Sequence, residues 1–244
     1  MTVMASVPEH EMRRLEAVAQ NGLSLEALVE RRLSGEPLQY IEGTAAFGPL
    51  ELIVDDRVLI PRPETETLFE ISSRMVRLPE VIIDLCTGSG NLALALKNRF
   101  PGASVFATDI SPDAIAVATE NMARTGLRIY LGEGDVYDPL PASLLGQADL
   151  IVANPPYVSE KEYESLPEDV RREPHVALVS GRTGLEVIEK IGASAVEWLR
   201  PGGVVVCEIG ENQGVAAASS FSGLAMVVRT DLSGRDRFVV GVKP

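Results

Sequence analysis

The sequence predicts an α/β fold built on a mainly parallel sheet. Apolar runs of strand length alternate with helix-like stretches over most of the chain, which is the pattern of consecutive βαβ units. Two of these runs, 81–85 and 103–109, flank a glycine-containing turn and a helix-like stretch, 92–99. Another run, 148–153, is almost wholly apolar, as expected for a strand that is covered by helices on both faces. Turn-forming residues follow these strands, so a ligand site is predicted at the carboxyl edge of the sheet.

The N-terminal part is predicted to be helical and then extended. Two short helices are expected at 9–20 and 24–33, the second with Ser24 as its N-cap. Residues 39–60 alternate between apolar and polar around the charged stretch 55–57, which predicts a β-hairpin.

Later apolar runs complete the sheet. Further strands are predicted at 129–132, 204–209, 225–229 and 238–242. The last two lack an intervening helix and are therefore expected to pair in antiparallel fashion. The chain is accordingly divided into a short N-terminal helical segment, 1–38, a β-hairpin linker, 39–63, and a main domain, 64–244.

The turn after strand 81–85 is of a kind that binds nucleotides. Gly88 and Gly90 permit tight backbone curvature and close approach of a ligand, towards which the amides of the next helix point. Strand 103–109 ends in Asp109, about 20 residues beyond the glycines, where a carboxylate commonly binds a ribose diol. Asp135, after the third strand, is placed to flank an adenine. Alone, this turn is equally typical of NAD-binding and ordinary α/β proteins, and Asp109 can also be interpreted as a helix cap.

The tetrapeptide Asn154-Pro155-Pro156-Tyr157, abbreviated NPPY, directly follows strand 148–153. The two prolines fix two φ angles and remove two backbone donors, so the Asn side chain and the following carbonyls remain as acceptors around an opening. The Tyr ring would form one wall of it. Such a site suits a planar amino group, because acceptors that bind its hydrogens aim the nitrogen at an electrophile. NPPY, the glycine turn and its carboxylate together predict S-adenosylmethionine as the cofactor.

The chain resembles the protein-(glutamine) methyltransferases that modify peptide-chain release factors. The similarity extends from about residue 37 to the C-terminus and includes motifs well beyond NPPY. The segment IPRPETE, 60–66, is its most specific part, because DNA amino-methyltransferases share NPPY but lack this segment. Further matches lie at 84–90, 109–111, 173–174, 201–203 and 208–210.

This resemblance implies the class I S-adenosylmethionine methyltransferase fold, a Rossmann-like seven-stranded sheet whose last strands are antiparallel. It also implies roles for the residues that match the motifs. The catalytic residues are expected to be Asn154, Pro155, Pro156 and Tyr157. The cofactor is expected to contact Asp84, Cys86, Thr87, Gly88, Ser89, Gly90, Asp109, Ile110, Asp135, Val136 and Asn154. The methyl acceptor is expected to contact the four NPPY residues together with Arg62, Glu64 and Glu66.

Several positions depart from the family pattern or allow a second interpretation. Cys86 stands where members usually have Gly, and Val136 stands where many have an aromatic residue that stacks on adenine. Only 38 residues precede the first matching motif, so a shortened N-terminal domain is expected. Glu64 and Glu66 can equally be first-turn acids that stabilise a helix. Glu208, at the end of a strand, is expected to bond to nearby backbone.

Composition favours a soluble intracellular enzyme. The formal net charge of −13 argues against a duplex nucleic-acid partner, because phosphate binding requires a basic surface. No apolar run approaches the roughly 20 residues of a membrane span. The two cysteines and two histidines show no metal-ligand spacing, so no metal is expected and a reducing, cytoplasmic location is predicted.

The expected reaction is methylation of a glutamine side-chain amide nitrogen in a protein. By resemblance, the acceptor is the Gly-Gly-Gln loop of a peptide-chain release factor. The main alternative is an N-methyltransferase that tailors a small-molecule amide or amine. A DNA adenine methyltransferase is less favoured, because the chain shows neither a basic cleft nor a target-recognition region. A non-catalytic cofactor-binding protein is disfavoured by the intact NPPY.

Overall fold

The computed structural model describes residues 7–231 and 233–244. Within these ranges the chain forms ten α-helices and nine strands. The helices are α1 Glu9–Ala19, α2 Leu25–Leu33, α3 Leu38–Glu42, α4 Pro63–Met75, α5 Asn91–Arg99, α6 Pro112–Thr125, α7 Glu160–Tyr163, α8 His175–Leu178, α9 Glu186–Trp198 and α10 Gly214–Ser219. The strands are β1 Thr44–Phe47, β2 Leu50–Ile53, β3 Val81–Leu85, β4 Ser104–Asp109, β5 Tyr130–Glu133, β6 Ala148–Ala153, β7 Leu199–Glu208, β8 Ala225–Thr230 and β9 Asp236–Val242.

The main sheet has seven strands in the order β5-β4-β3-β6-β7-β9-β8. Strands β3 to β7 are parallel to one another, whereas β9 is antiparallel to both β7 and β8. The predicted fold class, with its antiparallel last strands, is therefore confirmed. The chain runs outward from β3 to β5 and then returns to place β6 on the other side of β3. This reversal opens a crevice at the carboxyl ends of β3 and β6, where ligands bind in open α/β sheets.

Every residue of β6 is buried, because helices cover both faces of the sheet. Leu150 and Val152 join one core cluster, which also contains the inner face of α5. Ile151 and Ala153 point the other way and join the cluster that contains residues of α9. The period-2 alternation of a strand explains this division. The prediction that the apolar run 148–153 is a fully covered strand is confirmed.

The linker differs from its prediction in two respects. A five-residue helix, α3, occupies the beginning of the stretch predicted as hairpin, and it ends at Gly43, which has a φ of +73°. Its side chains pack at helical spacing, with Leu38 and Ile41 together in one apolar cluster. The hairpin turn lies between β1 and β2, at Gly48 with a φ of +52°, and not around Asp55. Asp55 follows the hairpin, and its carboxylate accepts hydrogen bonds from the backbone N and the guanidinium of Arg57.

The bounds of the two N-terminal helices agree with the predicted bounds to within one residue at each end. The Ser24 hydroxyl accepts a hydrogen bond from Ala27 N at 3.3 Å and caps α2 as expected. The helices form a small apolar cluster with α3, built around Leu15 and Leu28. They contact the linker through α3, whose Tyr40 hydroxyl donates to the carbonyl of Val58 at 2.6 Å. Tyr40 also belongs to an apolar cluster that contains Val117 of α6. The division at residues 38 and 63 stays a prediction.

Candidate active site

A large cavity opens at the carboxyl ends of β3, β4 and β6. It encloses about 1040 Å³, including its open mouth. Most of the residues predicted to bind the cofactor line it: Cys86, Thr87, Gly88, Ser89, Asp109, Ile110, Asp135, Val136 and Asn154. The topology brings these residues together from four separate connections, although they span almost 70 positions of the sequence.

The glycine turn is held in place by the neighbouring strand β4. Thr87 N donates to Thr108 O at 3.0 Å, and Gly88 N donates to the Asp109 carboxylate at 2.8 Å. Gly88 has a φ of +56°, and a Cβ built on it would meet no atom within 4 Å. The turn therefore leaves open space where a side chain would otherwise stand, as a ligand-cradling loop requires.

Cys86 also adopts the left-handed backbone conformation, with a φ of +59°. Residues with a Cβ rarely occupy this conformation, which agrees with the expectation that Gly is usual at this position. The strain is tolerated here because the turn is bonded at both ends. The thiol lines the cavity, and burial raises its pKa well above the ordinary value, so it is a neutral thiol.

Asp84 lies beneath the turn and does not line the cavity. Its carboxylate is fully buried and accepts from the Thr87 hydroxyl at 2.6 Å and from Ala93 N at 3.1 Å. It thus ties the turn to the first residues of α5. Burial raises its pKa to about 7. Gly90, with a φ of +81°, is likewise a structural member of the turn, where a Cβ would lie 3.3 Å from Ala118.

Asp109 ends β4 and lines the cavity with both carboxylate oxygens anchored. One oxygen accepts from Gly88 N, and the other accepts from Ser111 N at 2.9 Å. Ser111 is the N-cap of α6, so the carboxylate also orders the start of that helix. Burial raises the pKa of Asp109 above its ordinary value. Each oxygen retains a further lone pair, so the predicted contact with a ribose diol is compatible with these bonds.

The wall near Asp135 is built from a strained loop. Val136 has a φ of +48°, which is unusual for a β-branched residue, and its carbonyl accepts from the Thr108 hydroxyl at 2.7 Å. That bond anchors the loop to β4. The Asp135 carboxylate pairs with Lys190 of α9 at the mouth of the cavity. The side chain at this part of the cavity wall is the aliphatic Val136.

The Asn154 carboxamide belongs to a buried hydrogen-bonded chain of side chains. Asn154 Nδ2 donates to Thr65 Oγ1 at 2.9 Å, and the Thr65 hydroxyl donates to Glu208 Oε2 at 3.1 Å. The Tyr157 hydroxyl donates to Glu208 Oε1 at 3.4 Å. The expectation that Glu208 bonds to nearby backbone was wrong, because its carboxylate accepts instead from the hydroxyls of Thr65 on α4 and Tyr157 of NPPY. Thr65 was missed, although it lies inside the IPRPETE motif.

The back of NPPY is held by a second set of contacts. Gln213 Nε2 donates to the carbonyls of Tyr157 at 2.9 Å and Gly184 at 3.2 Å. A Cβ at Gly184 would lie 2.4 Å from the Tyr157 carbonyl, so only glycine allows this approach. These contacts fix the direction of the loop as it leaves β6.

A second cavity meets the first at Asn154. It encloses about 870 Å³, including open space, and Pro155 and Tyr157 line it together with Arg62 and Glu64. Asn154 lines both cavities, whereas Pro156 lines only the first. The NPPY loop therefore lies between the two cavities, and Asn154 lines both of them.

Glu173 lies next to Arg62, which lines the second cavity. Its buried carboxylate accepts from Ile60 N at 3.0 Å and forms an ion pair with Arg62. The next residue, Pro174, begins the segment that lines the first cavity. Glu66 lies elsewhere, because its carboxylate accepts from Gly48 N in the hairpin turn at 2.9 Å. The structure does not bring Glu66 to either cavity.

Comparison with known proteins identifies the family. A model described as the methyltransferase small domain matches residues 66–172. The release factor glutamine methyltransferase of Deinococcus radiodurans is 40% identical over 215 residues, covering 86% of this chain and 76% of that protein. The enzyme of the same description from Mycolicibacterium smegmatis is 41% identical over 226 residues, covering 90% of this chain and 79% of that protein. The chain belongs to the release factor glutamine methyltransferase family.

A solved structure of a methyltransferase from Pyrococcus furiosus has the same fold as this family member. The TM-score is 0.61 at 18% sequence identity, with 81% of this chain and 91% of that chain covered. This likeness concerns the fold alone. The sheet topology and the family together establish an S-adenosylmethionine-dependent methyltransferase of class I.

The residues of the first cavity fit S-adenosylmethionine. The buried Ser89 hydroxyl has no hydrogen-bond partner among the described residues, so the cavity offers an unused polar group. Asp109 supplies a carboxylate, Ile110 and Val136 supply apolar walls, and the open space at Gly88 gives access to backbone amides. Asp109 would hold the ribose and the glycine turn the amino-acid part. When bound, this cofactor supplies an electrophilic methyl group on a sulfonium.

Other kinds of site are not indicated in the part of the chain that the structure describes. In residues 7–231 and 233–244, every helix is too short or too polar to cross a bilayer. The same residues contain no group of three or more His, Cys, Asp or Glu side chains arranged to bind a metal ion.

Proposed function

We propose that this methyltransferase modifies the side-chain amide nitrogen of a glutamine in a peptide-chain release factor. The observation that carries the proposal is the position of Asn154. Asn154 lines both cavities and so stands at their junction, the NH₂ group of its carboxamide is bound to Thr65, and its oxygen accepts no hydrogen bond from any described residue. A free acceptor at that junction is what a planar amide NH₂ requires.

The mechanism depends on positioning. An amide nitrogen is a poor nucleophile, because its lone pair is delocalised into the carbonyl. Asn154 Oδ1 and the Pro155 carbonyl would accept its two hydrogens, which holds the nitrogen towards the first cavity and favours its rehybridisation. Tyr157 would pack against the amide plane. The methylated amide then releases a proton to water, and no strong base is required.

The charges around the second cavity suit a protein segment with a small, uncharged tip. Arg62 and Arg237 line this pocket with Glu64, so positive and negative groups surround walls that are otherwise apolar. The burial raises the pKa of the Tyr157 hydroxyl, so the ring presents a neutral wall. A neutral glutamine flanked by glycines, as in a Gly-Gly-Gln loop, would enter without clashing with either charge.

The experiment that tests this function uses an intact release factor and a peptide of its Gly-Gly-Gln loop. Each is incubated with the enzyme and S-adenosylmethionine and then examined by mass spectrometry for the mass of one added methyl group. The same factor with Gln→Ala in the loop is the matched control and should stay unmodified. Enzyme that binds cofactor but methylates neither substrate would refute the proposal and favour a small-molecule amide or amine as acceptor.

Two further expectations accompany this function. The net charge of −13 argues against a duplex nucleic-acid acceptor. Both cysteines, Cys86 and Cys207, are free thiols, as is usual for a reducing compartment, so the cytoplasm is the expected location.

A further inference from the structure

Two members of the hydrogen-bonded chain that ends at Asn154 are almost completely shielded from water. Thr65 and Glu208 are each about 1% exposed, so neither has solvent as an alternative partner. They reach Asn154 from distant parts of the sequence, since Thr65 lies on α4 and Glu208 ends β7. The direction of each hydrogen bond that Thr65 and Glu208 make is therefore set by their partners inside the protein.

The single hydroxyl hydrogen of Thr65 determines the orientation of the Asn154 carboxamide. An ionised Glu208 can only accept, so the Thr65 hydrogen points to Oε2 across 3.1 Å. Thr65 Oγ1 then has only lone pairs to offer to Asn154 at 2.9 Å, and the carboxamide must turn its NH₂ group towards it. The reversed carboxamide would place two acceptor oxygens against each other in a buried site, which is costly.

We infer that Thr65 and Glu208 are positioning residues that hold the oxygen of Asn154, rather than its NH₂ group, towards the acceptor amide. The inference rests on the proposed function, in which Asn154 Oδ1 accepts a hydrogen from the substrate. Neither residue touches the substrate in this scheme. A reversed Asn154 carboxamide would direct its own NH₂ group towards the NH₂ group of the substrate amide. Two donors cannot bond to each other, so the glutamine could not bind in its reactive orientation.

The protonation of Glu208 supplies a switch for this orientation. Burial raises the pKa of Glu208, and the negative charge of Glu64 on α4 adds to this shift. The hydrogen bond from Thr65 and the positive charge of Arg237 on β9 lower the pKa, and the net result is a value of about 7. The hydroxyls of Thr65 and Tyr157 also face the carboxylate. A protonated Glu208 can donate to Thr65, which frees the Thr65 hydrogen for Asn154 and allows the reversed carboxamide. Turnover should therefore fall as the pH decreases through about 7.

Conservative variants of Thr65 separate positioning from a purely structural role. Thr65→Val keeps the shape but removes the acceptor, so kcat for methylation of a release factor should fall roughly 10-fold, the value of one buried hydrogen bond. The KM for S-adenosylmethionine should stay within about twofold. Thr65→Ser should restore kcat. Thr67→Val makes the same change on the exposed side of α4 and should match the wild type.

The Glu208→Gln variant and the double variant test the coupling. Glu208→Gln should also lower kcat, because its NH₂ group can donate to Thr65. Thr65→Val with Glu208→Gln should be no slower than the slower single variant, because both act through Asn154. The fall of kcat below pH 7 should be weaker in Thr65→Val. Asp84 also has a pKa of about 7, so the comparison between these two enzymes isolates the part due to Glu208.

A measurement that needs no acceptor distinguishes failure of this inference from failure of the proposed function. Nuclear magnetic resonance follows hydrogen exchange of the Asn154 carboxamide, with Asn154→Ala assigning the signal. Exchange should be at least about threefold faster in Thr65→Val than in the wild type, because one hydrogen bond is lost, and slow again in Thr65→Ser. Equal exchange in all three would overturn the positioning role. Unchanged kcat in Thr65→Val would do the same, whereas a wild type that methylates no release factor would refute only the proposed function.

Discussion

Replacing Asn154 by alanine should abolish most methyl transfer while sparing the cofactor site. The variant removes the oxygen that would accept a hydrogen from the substrate and leaves the Pro155 carbonyl as the remaining acceptor. Loss of one preorganised hydrogen-bonding group in an active site lowers kcat by roughly 10² to 10³, or about 3 to 4 kcal/mol of transition-state stabilisation. The Asp109 carboxylate and the glycine turn are unchanged, so cofactor affinity should stay within about threefold.

The structure also limits the effect of this variant on stability. Asn154 Nδ2 makes one hydrogen bond, to Thr65 Oγ1, and Thr65 keeps its bond to Glu208 when the carboxamide is removed. The free energy of unfolding should therefore decrease by only about 1 kcal/mol. The variant should remain folded at ordinary temperatures, which allows its rate to be interpreted.

The assay compares single-turnover methylation with calorimetric cofactor affinity in the same preparation. Radiolabelled S-adenosylmethionine and an intact release factor are mixed with excess enzyme, so the chemical step is measured without product release. Asn98→Ala, an exposed substitution on α5, is the matched control and should behave as the wild type. A single-turnover rate within tenfold of the wild type, at unchanged cofactor affinity, would refute the role assigned to Asn154.

Three other predictions follow from particular carboxylates. Asp109→Ala should weaken the binding of S-adenosylmethionine and of S-adenosylhomocysteine alike by roughly 10- to 150-fold in calorimetry, because bonds to a charged acceptor are worth about 1.5 to 3 kcal/mol. The exposed Asp113→Ala is the control variant, and an unchanged affinity for either ligand would leave Asp109 with only its capping role. Glu173→Gln should lower the free energy of unfolding by about 1 to 3 kcal/mol in chemical denaturation, because a buried bond to Ile60 N and an ion pair with Arg62 are weakened, whereas the exposed Glu168→Gln should have no effect. Glu208 has its pKa raised in the folded state from an ordinary value of 4.5 to about 7, so the folded chain binds the extra proton and stability should decrease by up to about 3 kcal/mol as the pH rises between these values. Denaturation at a series of pH values should show a shallower decrease in Glu208→Gln, and equal slopes in the two proteins would contradict the raised pKa.

The parts of the site that were predicted correctly are those whose signals are local in the sequence. Strand β6 was recognised with its correct bounds because an apolar run of strand length stops at a pair of prolines. The glycine turn was recognised for a similar reason, since it joins an apolar strand to a helix within a few residues. The structure places both at one edge of the sheet, as the topology of open α/β sheets requires.

The errors arose where a local pattern was too short or too symmetrical to decide. Helix α3 has only five residues, and its apolar residues fit a strand as well as a single helical turn. Packing of Leu38 and Ile41 against the N-terminal helices selects the helix. Glu66 was expected near the acceptor, but the hairpin turn binds its carboxylate through Gly48 N. First-turn acids of a helix point in several directions, and only the neighbours reveal which one faces a cavity.

Short sequence patterns were enough to identify the available chemistry and the strand ends at which it lies: a glycine turn, a strand-terminal Asp109 and the NPPY acceptors are each encoded within a few residues. The tertiary structure alone decided how Asn154 is oriented. Its partner Thr65 is 89 residues away, and Thr65 and Glu208 are 143 residues apart on either side of Asn154, so no sequence spacing relates them. The direction of a buried hydrogen bond depends on every neighbour that competes for the same hydrogen, and that competition exists only once the sheet and α4 have packed together.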